Sequence, residues 1–173
     1  EDYDNGDEIY YPGHLVANNV SFISSASSDR IIMYRGHYND GTPVYSGGTV
    51  SNCTLDNVCF KFRGYSDPSI TGNTISNVTY PFIINSEEEP IIESNDISGC
   101  TMQGISLDLS VYRDYTLPDY NYPYYFTGSV LVQGATLTIP DGITIDMQTY
   151  GLNIMEDYDN GDEIYYPGHL VAN

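Results

Sequence analysis

The residues best equipped for chemistry stand in one short run, EDYDNGDE, which holds Asp2, Asp4, Asn5, Asp7 and Glu8. Carboxylates and an amide gathered around a glycine are the hard oxygen donors that Ca²⁺ takes. The run departs from an EF-hand loop, because Gly6 falls where a ligand is wanted and no Glu follows at the twelfth position. Two readings stand side by side: a calcium loop completed by backbone carbonyls, and a solvated acidic loop.

The same run returns. EDYDNGDEIYYPGHLVAN fills residues 1–18 and recurs letter for letter at 156–173, so that Asp157, Asp159 and Asp162 repeat Asp2, Asp4 and Asp7. Identity over 18 residues at an offset of 155 marks a tandem repeat. We expect one full unit over 1–155 and the start of the next identical unit over 156–173.

Other chemistry is thin. The chain has 24 acidic residues against 5 basic ones. The second copy of the 18-mer brings five acids and no base, so one period carries 19 acids against 5 bases, a net of −14. Nothing here could neutralise a row of phosphates, so nucleic acid is not expected as a partner. Divalent cations, above all Ca²⁺, are the better expectation. Arg35 beside His37, and Lys61 with Arg63, are the basic pairs that a catalytic site could use, yet neither has carboxylates at a spacing the chemistry demands. No enzymatic role is expected. His14 and His37 lack metal-ligand spacing. Cys53, Cys59 and Cys100 match no zinc or haem pattern and read as small buried apolar residues, with a Cys53–Cys59 bridge as the minor option.

Two further groups are candidates for surface roles. Asn19, Asn52 and Asn77 each open an Asn-x-Ser/Thr sequon, a glycosylation signal in an exported chain. Tyr112, Tyr115, Tyr120, Tyr122, Tyr124 and Tyr125 crowd into YRDYTLPDYNYPYYF. Their rings are expected to pack or to meet a neighbouring subunit or fibre, with stacking on sugar rings as the alternative. The plain reading is a loop covering one end or side of the body, with its phenols in water. Glu87, Glu88 and Glu89 read as a charged turn.

The elements that must position these residues are short strands. Three segments align: V50-S-N-C-T-L-D-N-V58, I70-T-G-N-T-I-S-N-V78 and I92-E-S-N-D-I-S-G-C100. Apolar columns run Val50/Ile70/Ile92, Leu55/Ile75/Ile97 and Val58/Val78/Cys100 at intervals of 20 and 22 residues. Leu15, Val20 and Ile23 fit the same template, which places Asn18 in the column of Asn73 and Asn95. No helix breaks this often at Asn and Gly. A coil of this length cannot bury its own apolar face, so it must stack on its neighbours, and like residues then lie above one another. Asn73 and Asn95 are expected to form an internal amide ladder. The polar run GHYNDGTPVYSGG is expected to leave the body as a loop.

ITGNTISNV and IESNDISGC resemble the coil repeats of right-handed parallel β-helix proteins, the pectate-lyase-like group. YFTGSVLVQGATLTIPDGITI is similar to a segment of bacterial and archaeal surface β-helices, in which G-x-L-T-I-P-x-G-I-T-I leads into L-x-A-x-x-V-x-F. Here that continuation passes through 151–154, the acidic insertion and Leu170, and so crosses the repeat boundary. The resemblance implies an all-β, right-handed parallel β-helix continuing from one 155-residue unit into the next. Roughly seven coils of about 4.8 Å would advance each unit about 34 Å.

The function expected is structural: a repeat unit of an extracellular, cell-surface filament, sheath or giant tandem-repeat fibre. Its partner would be itself, stacked end to end, with lateral fibre contacts or glycans as further partners. The alternative is a carbohydrate-binding adhesin module, and behind it a polysaccharide lyase or hydrolase. No apolar run is long enough to span a membrane.

Overall fold

A computed structural model describes residues 2–4, 7–9, 13–26, 28–39, 42–87, 89–159 and 164–173; for 2–4, 7–9, 38–39, 157–159 and 164–166 the description is of the backbone. Among the described residues every regular element is a strand. Among these residues no helix is long and apolar enough to cross a membrane.

The body is a stack of parallel coils, arranged as in a β-solenoid. One long sheet runs the length of the stack through Arg30–Arg35, Val58–Arg63, Phe82–Ile84, Ile105–Leu107, Tyr124–Phe126 and Ile145–Asp146. On the other faces, His14–Asn18, Gly47–Ser51, Ser69–Thr71 and Ile91–Glu93 form one four-stranded sheet, and Ser21–Ile23, Thr54–Asp56, Thr74–Ser76 and Asp96–Ser98 form another. Beyond them lie two three-stranded sheets, one through Ser110–Val111, Val130–Gln133 and Leu152–Met155, the other through Tyr115–Thr116, Thr136–Ile139 and His169–Ala172.

The apolar columns explain the register. Val50, Ile70 and Ile92 align directly, as do Leu55, Ile75 and Ile97, and Val58, Val78 and Cys100 are buried. In the long sheet Phe60 lies over Phe82, with ring centroids 6.2 Å apart and planes within 13°, and Tyr34 stacks on Phe62. The three cysteines are buried free thiols.

The sharp corners between sheets need left-handed backbone, which L-residues with short polar side chains tolerate best. One corner stacks Asn52, Gly72 and Ser94, all at positive φ, above Asn19 at 57°. The next corner stacks Asn57, Asn77 and Gly99 in the same conformation. Each sequon asparagine therefore occupies a turn for which asparagine is the backbone's own choice.

The first coil departs from the sequence template by two residues. Ala17, not Leu15, pairs with Val50, and Phe22, not Val20, pairs with Leu55. Asn18 consequently stands beside Ser51, and Val20 takes the place in line with Cys53, Asn73 and Asn95. A shift of two preserves the in–out alternation of a strand, so periodicity alone could not separate the registers.

The number of coils also differs from expectation. The long sheet passes six times within one period, so a continuing stack would advance about 29 Å per unit at 4.8 Å per coil. Lateral excursions absorb the missing residues. His37–Asn39 pairs antiparallel with Thr42–Val44, Asp2–Asp4 with Asp7–Ile9, and Asp157–Asp159 with Ile164–Tyr166.

Candidate assembly site at the repeated strand

The duplicated sequence places the same strand at both ends of the stack, and the two copies use opposite edges. In the first copy His14–Asn18 pairs with Gly47–Ser51, with Leu15 opposite Gly48 and Ala17 opposite Val50. In the second, His169–Ala172 pairs with Thr136–Ile139, with Leu170 opposite Leu137 and Ala172 opposite Ile139.

A parallel strand sends alternate residues to alternate neighbours, so the two pairings can be tested for conflict. In the second copy the His169 N–H donates to Ala135 C=O at 2.8 Å, and the Asn173 N–H to Ile139 C=O at 3.3 Å. In the first copy the Asn19 N–H donates to Ser51 C=O at 3.1 Å, and Gly13 C=O accepts from the Gly47 N–H at 3.1 Å. His169 and Asn173 repeat His14 and Asn18. The residues bonded in one copy are those whose groups point the other way in the other copy. One strand could make both sets at once.

The glycine before this strand behaves in the same complementary way. A Cβ on Gly168 would lie 2.5 Å from the Met155 carbonyl oxygen and 2.8 Å from that of Val132. On Gly13, its repeat, a Cβ would meet nothing within 4 Å. Large exposed apolar side chains also gather on the two end coils. Val16 (79% exposed), Val20, Ile23 (70%), Ile31 and Met33 lie at one end; Met147, Ile154, Met155, Leu170 and Val171 lie at the other.

The calcium expectation falls largely outside the described residues. Asn5 and Asp162 are not described, and for Asp2, Asp4, Asp7, Glu8, Asp157 and Asp159 the backbone alone is. That backbone is a hairpin strand pair in each copy, with Asp4 opposite Asp7 in the first and Asp159 opposite Ile164 in the second. The Asn5-Gly6 and Asp40-Gly41 dipeptides, the strongest short hairpin signals, announced two of these excursions in the sequence. Among the described residues no group of three or more His, Cys, Asp or Glu side chains could hold a metal ion.

The tyrosines do not share one surface. Tyr115 and Tyr124 are buried in the core, Tyr120, Tyr122 and Tyr125 are half-buried, and Tyr112 is exposed. Tyr124 Oη donates to Pro118 C=O at 2.5 Å, and Tyr122 packs on Phe82 while its hydroxyl donates to Asn95 C=O at 2.8 Å. Burial raises the pKa of Tyr120, with Glu89 adding to it; burial raises that of Tyr124 further, with Tyr120 and Tyr115 next in effect. The phenols in this segment are thus packing groups as much as surface ones.

These contacts bridge an interruption. Among the described residues the sheets are not continuous between Ile91–Glu93 and Tyr115–Thr116 or between the strands beside them, and the long sheet alone passes through. Side chains span the gap. Glu87 accepts from the Tyr112 N–H at 2.6 Å and pairs with Arg113 at 2.7 Å, a role its reading as a charged turn did not foresee. The gap leaves a groove of about 640 Å³ whose walls include Glu89, Glu93, Asp119, Tyr120 and Tyr122.

The remaining candidates are dispersed. Arg35 and Arg63 are register neighbours on the outer face of the long sheet, exposed, with Lys61 two residues away; no carboxylate joins them in an ion pair among the described residues. Asn19, Asn52 and Asn77 are exposed, but Asn52 Nδ2 donates to Asn18 and Asn77 Nδ2 to Asp56.

No protein-family model, curated protein or solved structure matches the chain.

Proposed function

We propose that this chain is a structural repeat unit of an extracellular filament, sheath or tandem-repeat surface fibre, built by stacking right-handed, pectate-lyase-like solenoid units end to end. The observation that carries the reading is the complementary use of one strand's two edges. Placing His14–Asn18 and its copy in a single strand joins the Thr136–Ile139 edge of one unit to the Gly47–Ser51 edge of the next, with no donor used twice. Gly13 supports it further, since the crowding around Gly168 gives a reason for glycine at that place in the repeat. Stacking would also remove two open strand edges, each a hazard for uncontrolled association.

In this reading the acidic hairpin projects once per unit, and Ca²⁺ is the cofactor proposed for it, by charge alone. Catalysis has no part. The test is electron microscopy of the material with and without a calcium chelator. Filaments with an axial repeat near 29 Å, about six coils, are expected; isolated particles with no axial periodicity would overturn the reading. Loss of order on chelation assigns calcium to the hairpin, and unchanged filaments remove it.

A second reading, a carbohydrate-binding module, draws support from the groove beside Tyr120 and Tyr122. Glycan binding by a chain that never forms filaments would favour it.

A further inference from the structure

The groove at the sheet interruption is chemically selective. Its floor is apolar, from Pro90, Ile92 and Pro118, and two half-buried tyrosines stand in its wall. Around them lie three carboxylates, Glu89, Glu93 and Asp119, and among the described residues no basic side chain lines it. Its volume of about 640 Å³ falls in the range of small-ligand sites, roughly 300–1,000 Å³. Tyr120 lines the groove with its ring, while its hydroxyl is turned away from solvent and has no hydrogen-bond partner among the described residues.

We propose that this groove binds a neutral or amino sugar of a glycan chain and rejects acidic sugars. Tyrosine faces suit the C–H face of a pyranose. Carboxylates accept from sugar hydroxyls or pair with a sugar ammonium, and they repel uronate and sulfate. The inference deepens the carbohydrate-binding reading by naming the sugar class. It does not rest on polymerisation, because every lining residue belongs to one unit. A fibre of such units would present the groove once per period, so weak single contacts would add along its length.

The test is titration of the chain with neutral oligosaccharides, with de-N-acetylated chito-oligosaccharide as the amino-sugar probe and oligogalacturonate as the acidic control. Saturable binding of a neutral or amino sugar is expected, and none of the uronate. Glu93→Gln with Asp119→Asn, both exposed positions, should weaken binding of the amino sugar at least tenfold and leave the melting temperature unchanged. Tyr120→Phe keeps the ring, removes a hydroxyl that the groove does not reach, and should leave binding unchanged. Uronate binding as tight as the others, no binding by any probe, or indifference to the double variant overturns the proposal. Filaments that bind no sugar would sink this inference and leave the structural reading standing; binding by non-polymerising chains would do the reverse.

Discussion

Asn73 Nδ2 donates to Asn95 Oδ1 at 3.0 Å, and the two amides join successive coils at the same corner. Asn73 is 1% exposed. Its Oδ1 accepts from the Cys53 N–H at 2.9 Å, and its Nδ2 also reaches Val50 C=O at 2.9 Å. Asn95 repeats the pattern, sending Nδ2 to Ile70 C=O, and its own carbonyl takes the Tyr122 hydroxyl where the next rung would stand.

Asn73→Ala would leave the Cys53 N–H without a partner in a dry corner and would remove one of the donors to Val50 C=O. A loss of about 3 kcal/mol is expected, since each orphaned buried group costs about 1–3 kcal/mol. Asn95→Ala, at a half-buried position, should cost about half as much. Thermal or urea unfolding of the two variants checks the order; equal losses would mean that the ladder's burial gradient is irrelevant.

Gly13 and Gly168 are the same residue of the repeat in different surroundings. In the chain of 173 residues, Gly168→Ala should lower stability or fray the last strand, because backbone oxygens at 2.5 and 2.8 Å must move, an overpacking cost of about 1–3 kcal/mol. Gly13→Ala should be silent there. Hydrogen exchange at the amides of 169–173 reads the first effect. In a chain of several periods, substitution at every junction should reduce filament length, and unaltered filaments would count against a junction of this geometry.

Burial lifts Tyr34 from an ordinary value of 10.0 to about 12. Cys59 rises from 9.0 to about 12 through burial first and Asp29 second. A group whose folded pKa exceeds its unfolded one stays protonated in the folded protein while the unfolded chain has already released its proton. Its contribution is therefore complete below pH 9–10 and disappears as the pH rises toward 12. Melting temperatures should be flat between pH 7 and 9 on this account and fall steadily above it. Tyrosinate absorbance of the folded chain should lag behind that of free tyrosine. Thiol reagents at pH 8 should find all three cysteines unreactive until the chain unfolds.

Glu87 seals the sheet interruption through Tyr112 and Arg113. Glu87→Gln keeps an acceptor but loses the ion pair; with Arg113 half exposed, the change should stay within about 1 kcal/mol. Glu87→Ala should instead raise hydrogen exchange at the Tyr112 amide. A Tyr112 amide that remained as protected in Glu87→Ala as in the parent chain would show that the seal lies elsewhere.

What the sequence revealed follows from what is repeated in it. Val50, Ile70 and Ile92 recur at nearly constant spacing, so their column could be read from letters alone. Asn73 and Asn95 joined them because a polar residue inside an apolar repeat stands out. Leu15, Val20 and Ile23 were misplaced because a two-residue slip satisfies the same alternation, and Ala17 is too small to announce a core position. Asn5-Gly6 and Asp40-Gly41 are hairpin signals, but the acids and polar residues around them make both runs read as loops. The interruption beneath Tyr120 was not legible, since it depends on which side chains meet across two coils. Pro90 and Pro118 are local clues to it: a residue without an N–H cannot extend the ladder on its own side.

That interruption has a mechanical meaning. Load applied along the stack is borne, at most levels, by backbone hydrogen bonds on every face. At the level between Ile91–Glu93 and Tyr115–Thr116 it passes through one three-residue rung of the long sheet, assisted by Glu87 with Arg113 and by Tyr122 with Asn95. A fibre made of such units would contain a weak link at every period, always in the same place. Under tension these links would open before the coils themselves, letting the fibre lengthen in equal steps and close again when slack.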